Sequence, residues 1–327
     1  MKYRFLLAIM VLAVLGTECT CSDTFFSRSS KPRELEAGDA AGRMQAFVKD
    51  ISAYARGQKR GFIIIPQNAE ELAFNNADPN RGIMSSYISA IDGIGTEELF
   101  YNDRASRIND SRRLKILNEL KKSVKIMVSD YVPDDNAFKE SIDLNQKQGF
   151  IAFPRSKNNY DYKYIPTSIT DANKSDITEL ANAKNYLYLI GADNKTYSNK
   201  DAFITSIQNT AFDVVIIDLF AFGTAFTKTD ISRLKAKAGG GSRLVICYIS
   251  IGSAENYRYY WKQGWKKGNP SWIKKSYPGY PDEYWVEYWH PEWRSIIFGN
   301  DNSYIKKIID AGFDGAYLDN VEAYEHL

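Results

Sequence analysis

Gly312-Phe313-Asp314-Gly315-Ala316-Tyr317-Leu318-Asp319-Asn320-Val321-Glu322-Ala323-Tyr324-Glu325 is the stretch that decides the fold. Its β-prone run, Gly315 to Leu318, ends in a carboxylate, and Glu322 and Glu325 follow within a short loop. Barrel enzymes place their chemistry on residues at the C-terminal ends of parallel strands. This strand is nearly the last element of the sequence, so a site around Asp319 must be completed from earlier residues.

Upstream, short apolar runs recur at 62–65, 88–94, 124–128, 149–153, 186–190, 214–219 and 244–249. Helix-like stretches separate most of them, at 110–122, 201–209, 229–237 and 302–311. Unbroken apolar strands alternating with helices mark a parallel sheet covered on both faces. With 315–318 the runs number eight, the closure number of a (β/α)8 TIM barrel. An open doubly wound sheet is the alternative, but no glycine-rich phosphate loop follows any run. Two stretches interrupt the alternation. Residues 156–185 are polar and read as a surface connection, and residues 257–293 are dense in Trp, Tyr, Pro and Gly without helix or strand period. Loops of that length are usually functional.

Residues 1–21 read as an export signal, with Lys2 and Arg4 before an apolar stretch from Phe5 to Gly16. The expected location is therefore periplasmic, cell-surface or extracellular. Cys19 and Cys21 follow that stretch, so a lipid anchor on either and plain cleavage are both open. Residues 22–42 read as a tether, and 43–327 as a single domain opening with a helix over 44–56. The third cysteine, Cys247, lies in an apolar strand and reads as an inert buried thiol. A monomer is expected.

The 327 residues carry a net charge of +2, which gives no electrostatic case for nucleic acid. His290 and His326 are the only histidines, too few for a three-histidine zinc site, and neither an HExxH nor a GxSxG pattern occurs. His326 is expected in solvent and His290 among Trp289, Pro291 and Trp293. No metal or cofactor is expected, and the ionisable chemistry falls to carboxylates. Several strands end in polar residues: Gln67 and Asn68 with Glu70 and Glu71 beyond, Asp92 with Glu97 and Glu98 beyond, Asp130, Asp218, Tyr248 with Glu255 beyond, and Asp319. In a closed barrel these ends converge on one face. Each acid alone has a structural explanation as a helix cap or a solvated side chain. Together they would raise one another's pKa, which suits a proton donor opposite an ionised partner. Two opposed carboxylates with aromatic stacking surfaces are the minimal equipment for glycoside hydrolysis.

From Phe212 onward the chain resembles glycoside hydrolase family 114 and its bacterial barrel relatives, once mislabelled as cysteinyl-tRNA synthetase-related proteins. The resemblance rests on FDVVIID (212–218), FTKTDI (226–231), CYISIGSAENYRYYW (247–261), YWVEYWHPEW (284–293) and GFDGAYLDNVEAYE (312–325). Ser253 departs from it, because relatives usually carry Glu there within SIGEAE. Segments that normally follow the YLD strand stand at the front instead: GFIIIPQNAEEL (61–72), AIDGIGTEELFY (90–101), KIMVSDYV (125–132) and GFIAFP (149–154). The chain thus resembles a circularly permuted member, with 156–185 as the new join. Permutation preserves every strand pairing in a closed barrel, so 62–65 should pair in parallel with 315–318.

The resemblance implies an enzyme that cleaves polysaccharide chains of α-1,4-linked galactosamine. It implies Asp319 and Glu71 as the catalytic pair, with Glu70 as the alternative to Glu71. Asp218, Tyr248, Glu255, Asp130, Gln67, Asn68, Glu70 and Glu97 are the expected sugar-binding shell, with Trp285 and Trp289 as candidate stacking platforms. A non-catalytic carbohydrate-binding protein on an inactive barrel is the rival function.

Overall fold

The computed structural model describes residues 40–155 and 162–327. The expected signal, the tether up to residue 39, Cys19 and Cys21 lie outside the described residues. The first helix, α1 (Ala40–Gln58), starts inside the expected tether and before the expected domain boundary at 43. It is amphipathic, burying Met44, Phe47, Val48, Ile51 and Ala55 at helical spacing. No helix among the described residues is long and apolar enough to cross a membrane.

The fold is mixed α/β, built on parallel strands. These are β1 (Ile63–Pro66), β2 (Gly93–Glu97), β3 (Lys125–Ser129), β4 (Ile151–Ala152), β5 (Tyr186–Tyr188), β6 (Val214–Asp218), β7 (Leu244–Ser250) and β8 (Gly315–Asp319). One ladder runs β5-β6-β7-β8-β1 and a second runs β2-β3-β4. A parallel bridge from Gln67 to Gly95 joins β1 to β2. The front and back of the sequence meet as expected, with Ile63 opposite Gly315, Ile64 opposite Ala316, Ile65 opposite Tyr317 and Pro66 opposite Leu318. Between β4 and β5 no ladder forms among the described residues. The Phe153 and Tyr186 rings meet there at 5.7 Å, and the Ser129 and Tyr186 hydroxyls at 2.9 Å.

The helices α2 (Ser111–Leu120), α3 (Asp135–Gln148), α4 (Lys200–Gln208), α5 (Lys228–Leu234), α6 (Pro291–Ile297) and α7 (Tyr304–Asp310) supply the remaining helical layer. Their starts follow ordinary capping chemistry. Asp110, Asp134 and Asn199 accept first-turn backbone N–H groups, and Thr227 with Asp230 forms a capping box.

Two expectations need correction. The run 88–94 is not one strand. Ser85–Ile88 is a helical turn, and β2 starts at Gly93. Asp92 forces that boundary, because its Oδ2 accepts the Ile64 N–H at 2.8 Å and an Arg56 N–H at 2.8 Å. Residues 257–293 are not irregular throughout. Ile273–Tyr277 and Tyr280–Val286 form an antiparallel hairpin whose second strand also pairs with Ser253–Glu255, and α6 follows. Most of the hairpin's outer residues are exposed, so its sequence lacks the alternation of a half-buried strand.

The interior between the strands is filled by tyrosines. Tyr188 packs on Tyr317 at 5.3 Å and on Tyr162 at 4.9 Å. Gly95 makes room for them, since a Cβ there would sit 1.9 Å from the Tyr317 hydroxyl. Asp130, expected in the sugar-binding shell, belongs to this framework instead. It is fully buried. Its Oδ1 accepts the backbone N–H groups of Leu99, Phe100 and Tyr101 at 3.0, 2.9 and 3.2 Å. Its Oδ2 accepts from Ser141 at 2.7 Å and Asn145 at 3.2 Å. One oxygen fixes the loop after β2 and the other ties it to α3. Asp130→Ala would strand three backbone donors and should cost about 3 kcal/mol or more. Denaturant unfolding checks this, and a loss under about 1 kcal/mol would contradict the structural role.

Candidate active site

Because the strands are parallel and in register, their polar C-terminal residues share one face. Asp218 lies opposite Tyr248, Asp319 opposite Ser250, and Glu97 opposite Ser129. Acids at the opposite ends of the strands do structural work. Asp213 pairs with Lys237 at 2.9 Å, and Asp314 with Lys235 at 2.6 Å.

Asp319 is the centre of the strand-end face. Its Oδ2 accepts the Tyr248 hydroxyl at 2.5 Å and its Oδ1 accepts the Asn320 N–H at 2.8 Å. Burial and then the field of Glu97 push its pKa up to about 7, against the lowering effect of those two hydrogen bonds, and Glu255 adds to the rise. Glu322, a turn beyond, is pushed well above the carboxylate range by burial and by Asp319. Its Oε2 is buried without a partner.

Glu97 is enclosed by donors. Gln67 Nε2 donates at 2.7 Å, Tyr131 at 2.7 Å, Arg155 at 2.9 Å and Tyr162 at 3.2 Å. Arg155 is itself stacked over Tyr162 at 3.8 Å and Tyr131 at 4.3 Å. Gln67 also accepts from Tyr188 at 3.1 Å, which ties β1 to β5 across the interior. Asn68 accepts the Glu97 N–H at 3.0 Å.

On the other side Arg258 bridges two acids. It reaches Asp218 Oδ2 at 2.5 Å and Glu255 Oε2 at 2.5 Å. Burial raises the Asp218 pKa, and Arg258 offsets only part of that. Tyr257 donates its hydroxyl to Glu255, while 64% of the residue stays exposed.

The two QNAEE glutamates are held by arginines of α2. Glu70 pairs with Arg113 at 2.8 Å and accepts the Thr96 hydroxyl. Burial alone would raise its pKa, but Arg113 and Thr96 outweigh burial and the net shift is downward. Glu70 is therefore an ionised structural anchor rather than a free sugar ligand. Glu71 pairs with the exposed Arg112 at 3.0 Å. The carboxylates acting on Asp319 foremost are Glu97 and Glu255.

Trp285 is not the open stacking platform expected. Trp285 has 4% of its surface exposed, with Tyr277 stacked on it at 4.3 Å and His326 at 4.4 Å. It offers no open face; the His326 ring lies against it while remaining exposed to solvent, as expected. Trp289 lies beneath the Arg43 guanidinium at 4.6 Å, with Tyr288 edge-on at 4.8 Å. His290 caps α6 by accepting the Glu292 N–H at 3.3 Å. Cys247 is a buried free thiol, as expected.

Sequence reasoning missed Glu283. Register on the hairpin sets it opposite Glu255, and its Oε1 accepts from Asn320 Nδ2 at 3.1 Å and from the Ser253 hydroxyl. Burial, Glu255 and Asp319 push it up to about 8, against the hydrogen bonds from Ser253 and Asn320. Gly252 permits this assembly, because a Cβ there would lie 1.9 Å from the Asn320 carbonyl oxygen. Among the described residues no three His, Cys, Asp or Glu side chains are disposed to hold a metal ion.

Comparison with known proteins bears on this face. The chain is 40% identical over 157 residues to an uncharacterized protein of Methanocaldococcus jannaschii, covering 47% of this chain and 42% of that protein. It is 34% identical over 134 residues to an uncharacterized protein of Thermotoga maritima, covering 41% of this chain and 40% of that one. An uncharacterized protein of Deinococcus radiodurans is 34% identical over 122 residues, 37% of each chain. The chain thus spans less than half the length of the curated relatives it matches. Residues 170–326, which carry Asp218, Glu255, Glu283 and Asp319, match the model of glycoside-hydrolase family GH114.

Proposed function

We propose that this protein is an exported glycoside hydrolase. Its substrate is a polysaccharide, with α-1,4-linked galactosamine chains the first to test, and its chemistry centres on Asp319. The family match supports a glycoside hydrolase. The observation that carries the mechanism is Asp319 itself: a carboxyl at a strand end, pushed up to about 7 by burial and by Glu97, and ringed by further acids. A glycosidase needs one ionised carboxylate and one protonated carboxyl about the scissile oxygen. Crowded acids hold protons near neutral pH, because two charges so close cannot both ionise cheaply. Sequence resemblance names Glu71 as the partner.

Asp218, Glu255, Tyr248 and Gln67 would line the sugar site, and the exposed ring of Tyr257 is a better stacking surface than either tryptophan. The site's acids would favour amino sugars whose nitrogen is unacetylated and charged. Lys2, Arg4 and the apolar stretch after them support export.

Closure of the strands into a permuted barrel is part of the same proposal. Three observations support it. The β1–β8 ladder joins the front of the sequence to its back. The α1 helix packs against the helical turn after β8, Val321–Glu325, and against α7, as a crossover helix from β8 to β1 would. Among the described residues between β4 and β5, the helical piece is a single turn, Leu180–Asn182. That is where the ends of the unpermuted chain would have been joined.

Asp319→Asn should lower turnover of the responsive polysaccharide by about 1,000-fold or more while leaving its binding within a few-fold. Wild-type rates in the mutant would contradict a catalytic role. N-acetylation of the polymer should slow cleavage by the wild-type protein, and equal rates on acetylated and deacetylated chains would remove the charge argument.

A further inference from the structure

We propose that Asn320 is a positioning residue whose amide locks the hairpin to the strand end carrying Asp319 and so fixes one wall of the sugar site, an inference that rests on the glycosidase reading above. Asn320 directly follows Asp319 and is 3% exposed. Its backbone is left-handed, with φ at 60°. Glycine adopts that conformation at the least cost, and asparagine is one of the few other residues that visit it. A position that only had to turn the chain would be served best by glycine. The side chain at 320 has a further role.

That role lies on the hairpin. Asn320 Nδ2 donates towards Ser250 Oγ at 2.9 Å, Ser253 Oγ at 2.9 Å and Glu283 Oε1 at 3.1 Å. The two serine hydroxyls are themselves 2.6 Å apart. Asn320 Oδ1 accepts the Tyr277 hydroxyl at 3.2 Å. One amide therefore reaches the end of β7, the short strand Ser253–Glu255 and both strands of the hairpin. A buried polar group with all its partners in place specifies a single geometry.

The backbone of the same residue holds the acid. Its N–H donates to Asp319 Oδ1 at 2.8 Å, while Tyr248 holds Oδ2 at 2.5 Å. Asn320 thus has two separable functions, its N–H orienting Asp319 and its amide fixing the hairpin. The second bears on substrate, because Glu255 and Tyr257 stand in and just after the strand that the amide pins. Register sets Ser253 opposite Trp285 and Glu255 opposite Glu283. Holding Ser253 and Glu283 together therefore holds Glu255 in place beside Asp319.

Asn320→Gly is the discriminating substitution, since it keeps the turn and the N–H and removes only the amide. Amide hydrogen exchange, read without substrate, should quicken about 10-fold or more across residues 273–286 while Gly315–Asp319 stays as protected as in wild type. On an α-1,4-galactosamine oligomer KM should rise about 10-fold with kcat held within about 3-fold. Loss of folded protein alone would lower the apparent kcat and leave KM unchanged. Tyr277→Phe removes one bond of the lock and keeps the ring stacked on Trp285. It should move both readouts the same way by a smaller factor, and add little when combined with Asn320→Gly. Unchanged exchange in the hairpin, or a fall in kcat at constant KM, would overturn the inference. A wild-type protein inactive on the oligomer strikes the substrate reading instead, and the exchange pattern alone then decides whether the lock exists.

Discussion

Backbone pairing between Ile63–Pro66 and Gly315–Leu318 is the constraint on which everything else rests. It closes a loop of some 250 residues, whose entropic cost grows only slowly with length. In return it turns the first and last strands into neighbours and aligns Gln67 beside Asp319 at the same sheet edge. The Gln67 N–H donates to the Leu318 carbonyl at 2.8 Å, extending the ladder to the site. Gln67 then holds Glu97 and Tyr188, so residues remote in sequence become one hydrogen-bonded set.

The electrostatics of that edge divide its acids into two kinds. Those with an arginine serve as struts, although burial still raises the Asp218 pKa against Arg258. Glu70, whose pKa is lowered, anchors the turn after β1 to α2 through Arg113. Asp319 and Glu283, without an arginine, are raised in pKa because burial removes water and their neighbours are also acids. The hairpin between Ile273 and Val286 contributes to the second kind, and it reaches the site only because Gly252 lets its base lie against the Asn320 backbone. The long aromatic insertion is therefore part of the site as well as a cover for it.

Much of this was legible in the sequence. Strand runs ending in Asp218 and Asp319 were plain because buried parallel strands are continuously apolar and their ends are not. The pairing of front with back followed from resemblance and ring topology. What stayed hidden depended on partners distant in sequence. Asp130 looked like any strand-end acid, and only the folded loop reveals its three backbone donors. Trp285 looked like a sugar platform, since a ring's chemistry does not say which of its faces is covered. Glu283 sat in a stretch without strand period, where no pattern announces that antiparallel register will carry a carboxyl to Ser253 and Asn320.

The central claim is that two unpaired carboxyls at this edge exchange protons near neutral pH. Side-chain carboxyl carbons observed by 13C NMR across a pH series test it most directly, assigned through Asp319→Asn and Glu283→Gln. We predict midpoints near 7 for Asp319 and near 8 for Glu283, each moving when the other is neutralised. Both carboxyls titrating independently below about 5, in the range of ordinary exposed acids, would contradict the account.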